Sequence, residues 1–224
     1  MKLSRIPLLL SLSLIILTNL TYSQFLKSYD DVSQEDLIDA LSFAGIDIIH
    51  LDLEKVNQNY TFKIIIDEYA GKDNLISSNV EMKDPTEYRK RTKDGNIEKK
   101  YINRLRVISK VTNNSFDQIF LMFETEPIAK YSVLNIDEEF QRKHYWVRFS
   151  KSDFEVGKKI PLLFYGSEWD EIIDGKKVPR FCSHIEISPD LDDETIQYMP
   201  HFFVVSYVFE EKNNRRGNEG NKNY

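Results

Sequence analysis

The chain of 224 residues has one cysteine, Cys182. No intramolecular disulfide can form, so the fold must rest on buried apolar surface. The four histidines, His50, His144, His184 and His201, are scattered and unpaired in sequence. No cluster of His and Cys offers the three or four protein ligands of a zinc site. The eight glycines make no phosphate-cradling loop and no dinucleotide fingerprint. A Gly-x-Ser-x-Gly elbow and a His-Glu-x-x-His pair are also missing. These gaps leave acid–base chemistry few players and point to no cofactor and no metal. Beyond residue 20 no apolar run approaches the roughly 20 residues of a membrane span.

What is present begins with a leader. Lys2 and Arg5 precede an apolar stretch from Ile6 to Leu20, broken by Pro7 and Asn19. Thr21 and Ser23 then stand three and one positions before Gln24. That is the layout of a secretory signal peptide over residues 1–23. It predicts an exported protein, periplasmic or secreted, with no transmembrane anchor after cleavage. No cysteine follows the run, so a lipid anchor is not expected. Cleavage removes Lys2 and Arg5 and no acid, taking the net charge from -6 to -8. That balance argues against nucleic acid as a partner.

Residues 24–212 read as a single β-rich domain. Ser33, followed by acids and by Leu37, Ile38 and Leu41, predicts one helix with Gly45 as its left-handed stop. The period then falls to two. In Tyr60–Tyr69, Phe62, Ile64 and Ile66 share one face, and Lys63, Asp67 and Tyr69 the other. Further strands are expected at Leu75–Lys83, Ile102–Val111, Gln118–Glu124, Lys130–Leu134, Tyr145–Phe149, Ile160–Tyr165, Val178–Ile187 and Phe202–Glu210. Asp94-Gly95 and Asp174-Gly175 are two-residue hairpin signals, and 112–115 makes a longer turn. Ile119–Phe123 and Phe202–Val205 are apolar on both faces and read as central strands. The pattern predicts an antiparallel β-sandwich with one N-terminal helix, in preference to an α+β fold with a single curved antiparallel sheet. From Asn213 to Asn223 there is nothing apolar to bury, so 213–224 is expected to be a disordered tail.

The densest mixture of chemical groups lies between Ser167 and Ile187. On one strand, Arg180, Cys182, His184 and Glu186 would share a face, which raises a metal or thiol–imidazole reading. A packed thiol beside a partly exposed histidine is the simpler one. Glu168, Asp170, Glu171 and Asp174 invite a glycosidase reading, which needs two carboxyl groups facing across a fixed gap. Trp169 beside those acids suits a sugar-stacking platform, against the plainer reading of a half-buried anchor for a hairpin. The candidate ligand-binding residues are therefore Trp169, Asp170, Glu171, Arg180 and His184, with no catalytic residue assigned. Asp190 to Glu194 resembles a calcium loop but lacks its later glycine and glutamate, so a helical turn begun by Pro189 is preferred. The basic stretch from Arg89 to Arg106 reads as a solvated hairpin guarding a sheet edge.

The stretches "YTFKIIIDEYAGK" (Tyr60–Lys72), "PRFCSHIEISPDL" (Pro179–Leu191) and "YMPHFFVVSYVF" (Tyr198–Phe209) resemble a family of uncharacterised secreted proteins of Bacteroidetes. The leader ending Tyr-Ser before Gln24 is similar to theirs. The resemblance implies an extracytoplasmic β-rich domain and no particular chemistry. It leaves two arrangements open. Either Arg180-Phe181-Cys182 and Pro200-His201-Phe202 pair as neighbouring strands, or Cys182, His184 and His201 converge on a pocket. The sequence supports a non-catalytic binding or envelope-associated module of unknown ligand, with a glycan or an envelope component as the partners to consider. The alternatives are a carbohydrate-active or lectin-like domain at Trp169, and a metal- or redox-linked site at Cys182.

Overall fold

The structure is a computed structural model that describes residues 33–111, 117–126, 128–181 and 186–212. The leader 1–23, the tail 213–224, and Cys182 with His184 lie outside the described residues. Contacts divide the chain into two units, Met1–Ala44 and Gly45–Tyr224.

In the first unit, helix α1 spans Gln34–Phe43. The Ser33 hydroxyl accepts from the Asp36 amide at 3.1 Å, and the Asp36 carboxylate accepts from the Ser33 amide at 2.8 Å. That reciprocal box satisfies two of the amides a helix start leaves bare. Gly45, just beyond the helix, holds φ +72.

The second unit is built from β1 (Ile46–Asp52), β2 (Thr61–Tyr69), β3 (Leu75–Pro85), β4 (Glu87–Arg91), β5 (Ile97–Tyr101), β6 (Arg104–Val111) and β7 (Gln118–Glu124). It continues with β8 (Ala129–Asn135), β9 (His144–Phe149), β10 (Ile160–Ser167), β11 (Trp169–Ile173), β12 (Lys176–Arg180), β13 (Glu186–Ile187) and β14 (Phe202–Glu210). Four strands form one sheet in the order β1-β6-β7-β8, and six form another in the order β13-β9-β10-β14-β2-β3. Two hairpins, β4-β5 and β11-β12, stand apart from both. The main sheets are antiparallel except for β13, which lies parallel to β9 at an edge. Two sheets sharing one core make this a β-sandwich, not a single curved sheet.

Alternation explains the layering. Leu105 and Val107 on β6 and Leu121 and Phe123 on β7 turn inward, where they share one core with Phe62 and Ile64 of β2 and Val205, Tyr207 and Phe209 of β14. Each fully buried phenylalanine here contributes about 2–3 kcal/mol relative to exposure. The other face of the six-stranded sheet is also covered, by Ile196 and Met199 packing on Phe164, Phe202 and Val204. Buried on both faces, β14 is the central strand its apolar run implies. By contrast β7 is central in its sheet yet shows its outer face to solvent, with Phe120 45% exposed.

Several expectations need correction. The strand expected over Val178–Ile187 is two, because β12 pairs with β11 while β13 joins the edge of the six-stranded sheet. Ile187 of β13 is fully buried in one cluster with Phe164 of the six-stranded sheet. Strand β14 pairs with β10 and β2, so Arg180-Phe181 and His201-Phe202 are not neighbours in a sheet. No helical turn starts at Pro189. The chain instead turns at Leu191 (φ +56), and a 3-10 turn over Glu194–Tyr198 begins where Asp193 accepts from the Thr195 amide at 2.9 Å. At Asp94-Gly95 the connection is longer than two residues, since Thr92 donates its amide to the Asn96 carbonyl at 2.8 Å with three residues between.

Candidate functional site

The hairpin β11-β12 places the residues singled out in the sequence. Asp174 (φ +50) and Gly175 (φ +74) form its two-residue turn between the paired Ile173 and Lys176. Two successive positive φ values match the right-handed twist of the strands, and Asp-Gly supplies them. The register then sets Trp169 opposite Arg180 and Glu171 opposite Val178. Trp169, Arg180 and Glu171 therefore share one face of the hairpin, and Asp170 with Pro179 occupies the other.

On the first face, Arg180 donates from Nε to Glu171 Oε2 at 2.7 Å. Trp169 stacks on Tyr198 of the 3-10 turn, with ring centroids 6.3 Å apart and an angle of 25°. Tyr198 is 59% exposed, so the pair forms an open aromatic shelf. Trp169, Glu171, Arg180, Phe181 and Tyr198 border a cleft of about 520 Å³. Phe181 anchors the hairpin by packing on Tyr145, centroids 4.2 Å apart. On the second face, Asp170 lies 3.2 Å from Arg142 Nη1 and 3.9 Å from Lys177 Nζ. Glu168 accepts from the Tyr145 hydroxyl at 2.7 Å, and burial, together with that carboxylate, raises the Tyr145 phenol.

The structure thus brings Trp169, Asp170, Glu171 and Arg180 to one cleft and adds Tyr198 and Phe181, while His184 lies outside the described residues. Asp170 and Glu171 are neighbours on a strand and diverge to opposite faces, each held by a cation. They do not make the facing pair that glycoside cleavage needs. Among the described residues no group of three or more His, Cys, Asp and Glu is placed to hold a metal ion.

At the starts of β9 and β14 lies an arrangement the sequence reading missed. His144 and His201, far apart in sequence, meet with Nε2 and Nδ1 3.1 Å apart. The outer nitrogen of His201 faces Glu68 Oε1 at 3.1 Å, and His144 Nδ1 donates to the Arg142 carbonyl at 2.8 Å. His201 has no exposed surface and His144 only 7%. Burial pushes the His144 imidazole down to about 4 and lowers His201 as well, where Glu68 and Asp137 pull the other way. A signal existed: both histidines open strongly apolar strands, and a buried polar ring must find a partner. Which partner it finds is a tertiary matter.

Neither a curated protein nor a solved structure matches the chain. One family does, a domain of unknown function, DUF5041, over residues 19–211. That span takes in the helix, both sheets, both hairpins and the aromatic shelf, and on it the chain belongs to the DUF5041 family.

Proposed function

We propose that this protein is an exported, non-catalytic binding module whose ligand seat is the aromatic shelf of Trp169 and Tyr198, and that the ligand is a carbohydrate. The observation that carries this reading is the stack of two rings, one largely exposed, beside the Glu171–Arg180 ion pair. An aromatic face suits the C–H face of a pyranose, and a carboxylate and a guanidinium at its rim accept from and donate to hydroxyls. The divergence of Asp170 and Glu171 favours binding over cleavage. Export is supported by Lys2, Arg5, the apolar run to Leu20 and the Thr21–Ser23 cleavage pattern. The resemblance to secreted proteins of Bacteroidetes points the same way, and an envelope glycan is the partner that fits such a compartment.

The test is a glycan-array screen of the chain from Gln24 onward, with titration calorimetry on the strongest hits. Trp169→Ala is expected to weaken binding at least tenfold, about 1.4 kcal/mol, measured at a temperature where the variant is still folded, because the indole also packs on the cluster around Ile196 and Met199. Binding that survives both Trp169→Ala and Tyr198→Ala would remove the shelf as the seat. Turnover of a glycan, lost on changing Glu168 or Asp170, would replace the binding module with an enzyme.

A further inference from the structure

The buried histidine pair poses a problem of proton number. Three contacts run end to end: Arg142 carbonyl to His144 Nδ1, His144 Nε2 to His201 Nδ1, and His201 Nε2 to Glu68 Oε1, at 2.8, 3.1 and 3.1 Å. Each contact needs one hydrogen. A carbonyl at one end and a carboxylate at the other can only accept, and a neutral imidazole carries a single N–H. Two neutral rings therefore supply two hydrogens to three contacts. With His144 donating to Arg142 and His201 donating to His144, the bare Nε2 of His201 faces the Glu68 carboxylate, acceptor against acceptor. One further proton completes the chain, with His201 then donating at both nitrogens.

We propose that Glu68, His201 and His144 form a buried one-proton switch that fills as the pH falls below neutrality and whose proton affinity is set by Glu68. The surroundings agree with a single uptake. Glu68 on β2 also accepts from the Ser77 hydroxyl of β3 at 3.0 Å, and Asp137 adds negative potential from the loop before the 3-10 turn Glu138–Phe140. Phe140 and Phe203 pack on the His201 ring, Tyr165 of β10 stacks on His144, and the Ser167 hydroxyl accepts the His201 amide at 3.3 Å. The nearby guanidinium of Arg142 is engaged with Asp170. Glu68 lines an open cleft of about 280 Å³, which gives the proton a path from solvent. Once His201 is charged, a second proton on His144 would set two cations side by side, so His144 stays the acceptor. Arg142 joins the far end of the chain to the hairpin, its carbonyl taking the His144 hydrogen and its guanidinium holding Asp170 of β11. The switch stands independently of the carbohydrate reading.

The experiment is a titration of the imidazole nitrogens by NMR from pH 8 to 4.5. At pH 8, His144 is expected as the Nδ1–H tautomer. His201 is expected to take up one proton in this range, with a midpoint below that of an exposed imidazole because burial opposes its charge. Glu68→Gln replaces the carboxylate with an amide that can itself donate to His201 Nε2, filling the third contact with no added proton. That variant is expected to keep the fold and to lower the His201 midpoint by at least one pH unit. A His201 that takes up no proton down to pH 4.5, an Nε2–H tautomer of His144 at pH 8, or a midpoint indifferent to Glu68→Gln would each overturn the proposal. The first two readings use the unaltered protein, so they stand even if the variant fails to fold.

Discussion

Gly166 sits in β10 between Tyr145 of β9 and Phe202 of β14, where a side chain has nowhere to go. A Cβ built there would come 2.1 Å from Phe164 Cε1 and 2.9 Å from Met199 Sδ, both in the buried cluster behind the six-stranded sheet. The φ of Gly166 is not the issue; the space is. Gly166→Ala is expected to destabilise the protein by about 3 kcal/mol, because Phe164 must leave its packed position. Urea unfolding of the variant measures this, and a loss below about 1 kcal/mol would mean that the Phe164 ring can move aside without cost. Gly175 offers the contrast. Its need for glycine was legible from Asp174-Gly175 alone, since turn chemistry is local. The need at Gly166 comes from the Phe164 ring two residues back on the same strand, held over the glycine by its buried cluster, and from the sulfur of Met199, and "YGSEW" carries no sign of it.

At the scale of elements, β2 shows what alternation can and cannot say. Its inward face, Phe62, Ile64 and Ile66, was readable from period two, and all three are buried. The outward Asp67 looked like a solvent residue, yet it is only 2% exposed. It accepts from Lys159 Nζ at 2.8 and 3.0 Å and from the Ser78 hydroxyl at 2.6 Å. Lys159→Met is expected to cost about 2 kcal/mol by leaving a carboxylate buried without its cation. The double variant Asp67→Asn with Lys159→Met is expected to recover part of that, because the introduced amide is uncharged and its oxygen can still accept from the Ser78 hydroxyl. A thermal-unfolding cycle checks the pair, and strictly additive losses would show that the two do not interact. Strand β1 escaped the sequence reading for a related reason. Its inward face includes Asp47, raised by burial and bonded by Ser109 at 3.4 Å, while Ile48 points outward, so the apolar period is broken.

For the molecule as a whole, the buried histidines tie stability to pH. The folded His144 is held down to about 4 while the unfolded ring titrates near 6.5. A depressed folded value means stability that is complete above about pH 6.5 and lost as the pH falls toward 4. His144 alone is expected to contribute about 3 kcal/mol to that loss. Urea midpoints measured at pH 7, 6, 5 and 4 should fall through this interval, and a flat profile from 7 to 4.5 would contradict it. The sequence by itself determined the layered β architecture, the capped helix, the Asp-Gly hairpin and the neighbourhood of Trp169 and Arg180. These follow from alternation, capping and turn chemistry, which act over a few residues. Only the tertiary structure decided that Tyr198 completes the shelf, that Asp170 and Glu171 diverge into separate ion pairs, and that His144 meets His201 and Glu68. Those partners are brought together by strand order, and strand order is set by which faces bury together across the whole sandwich, a choice no local pattern records.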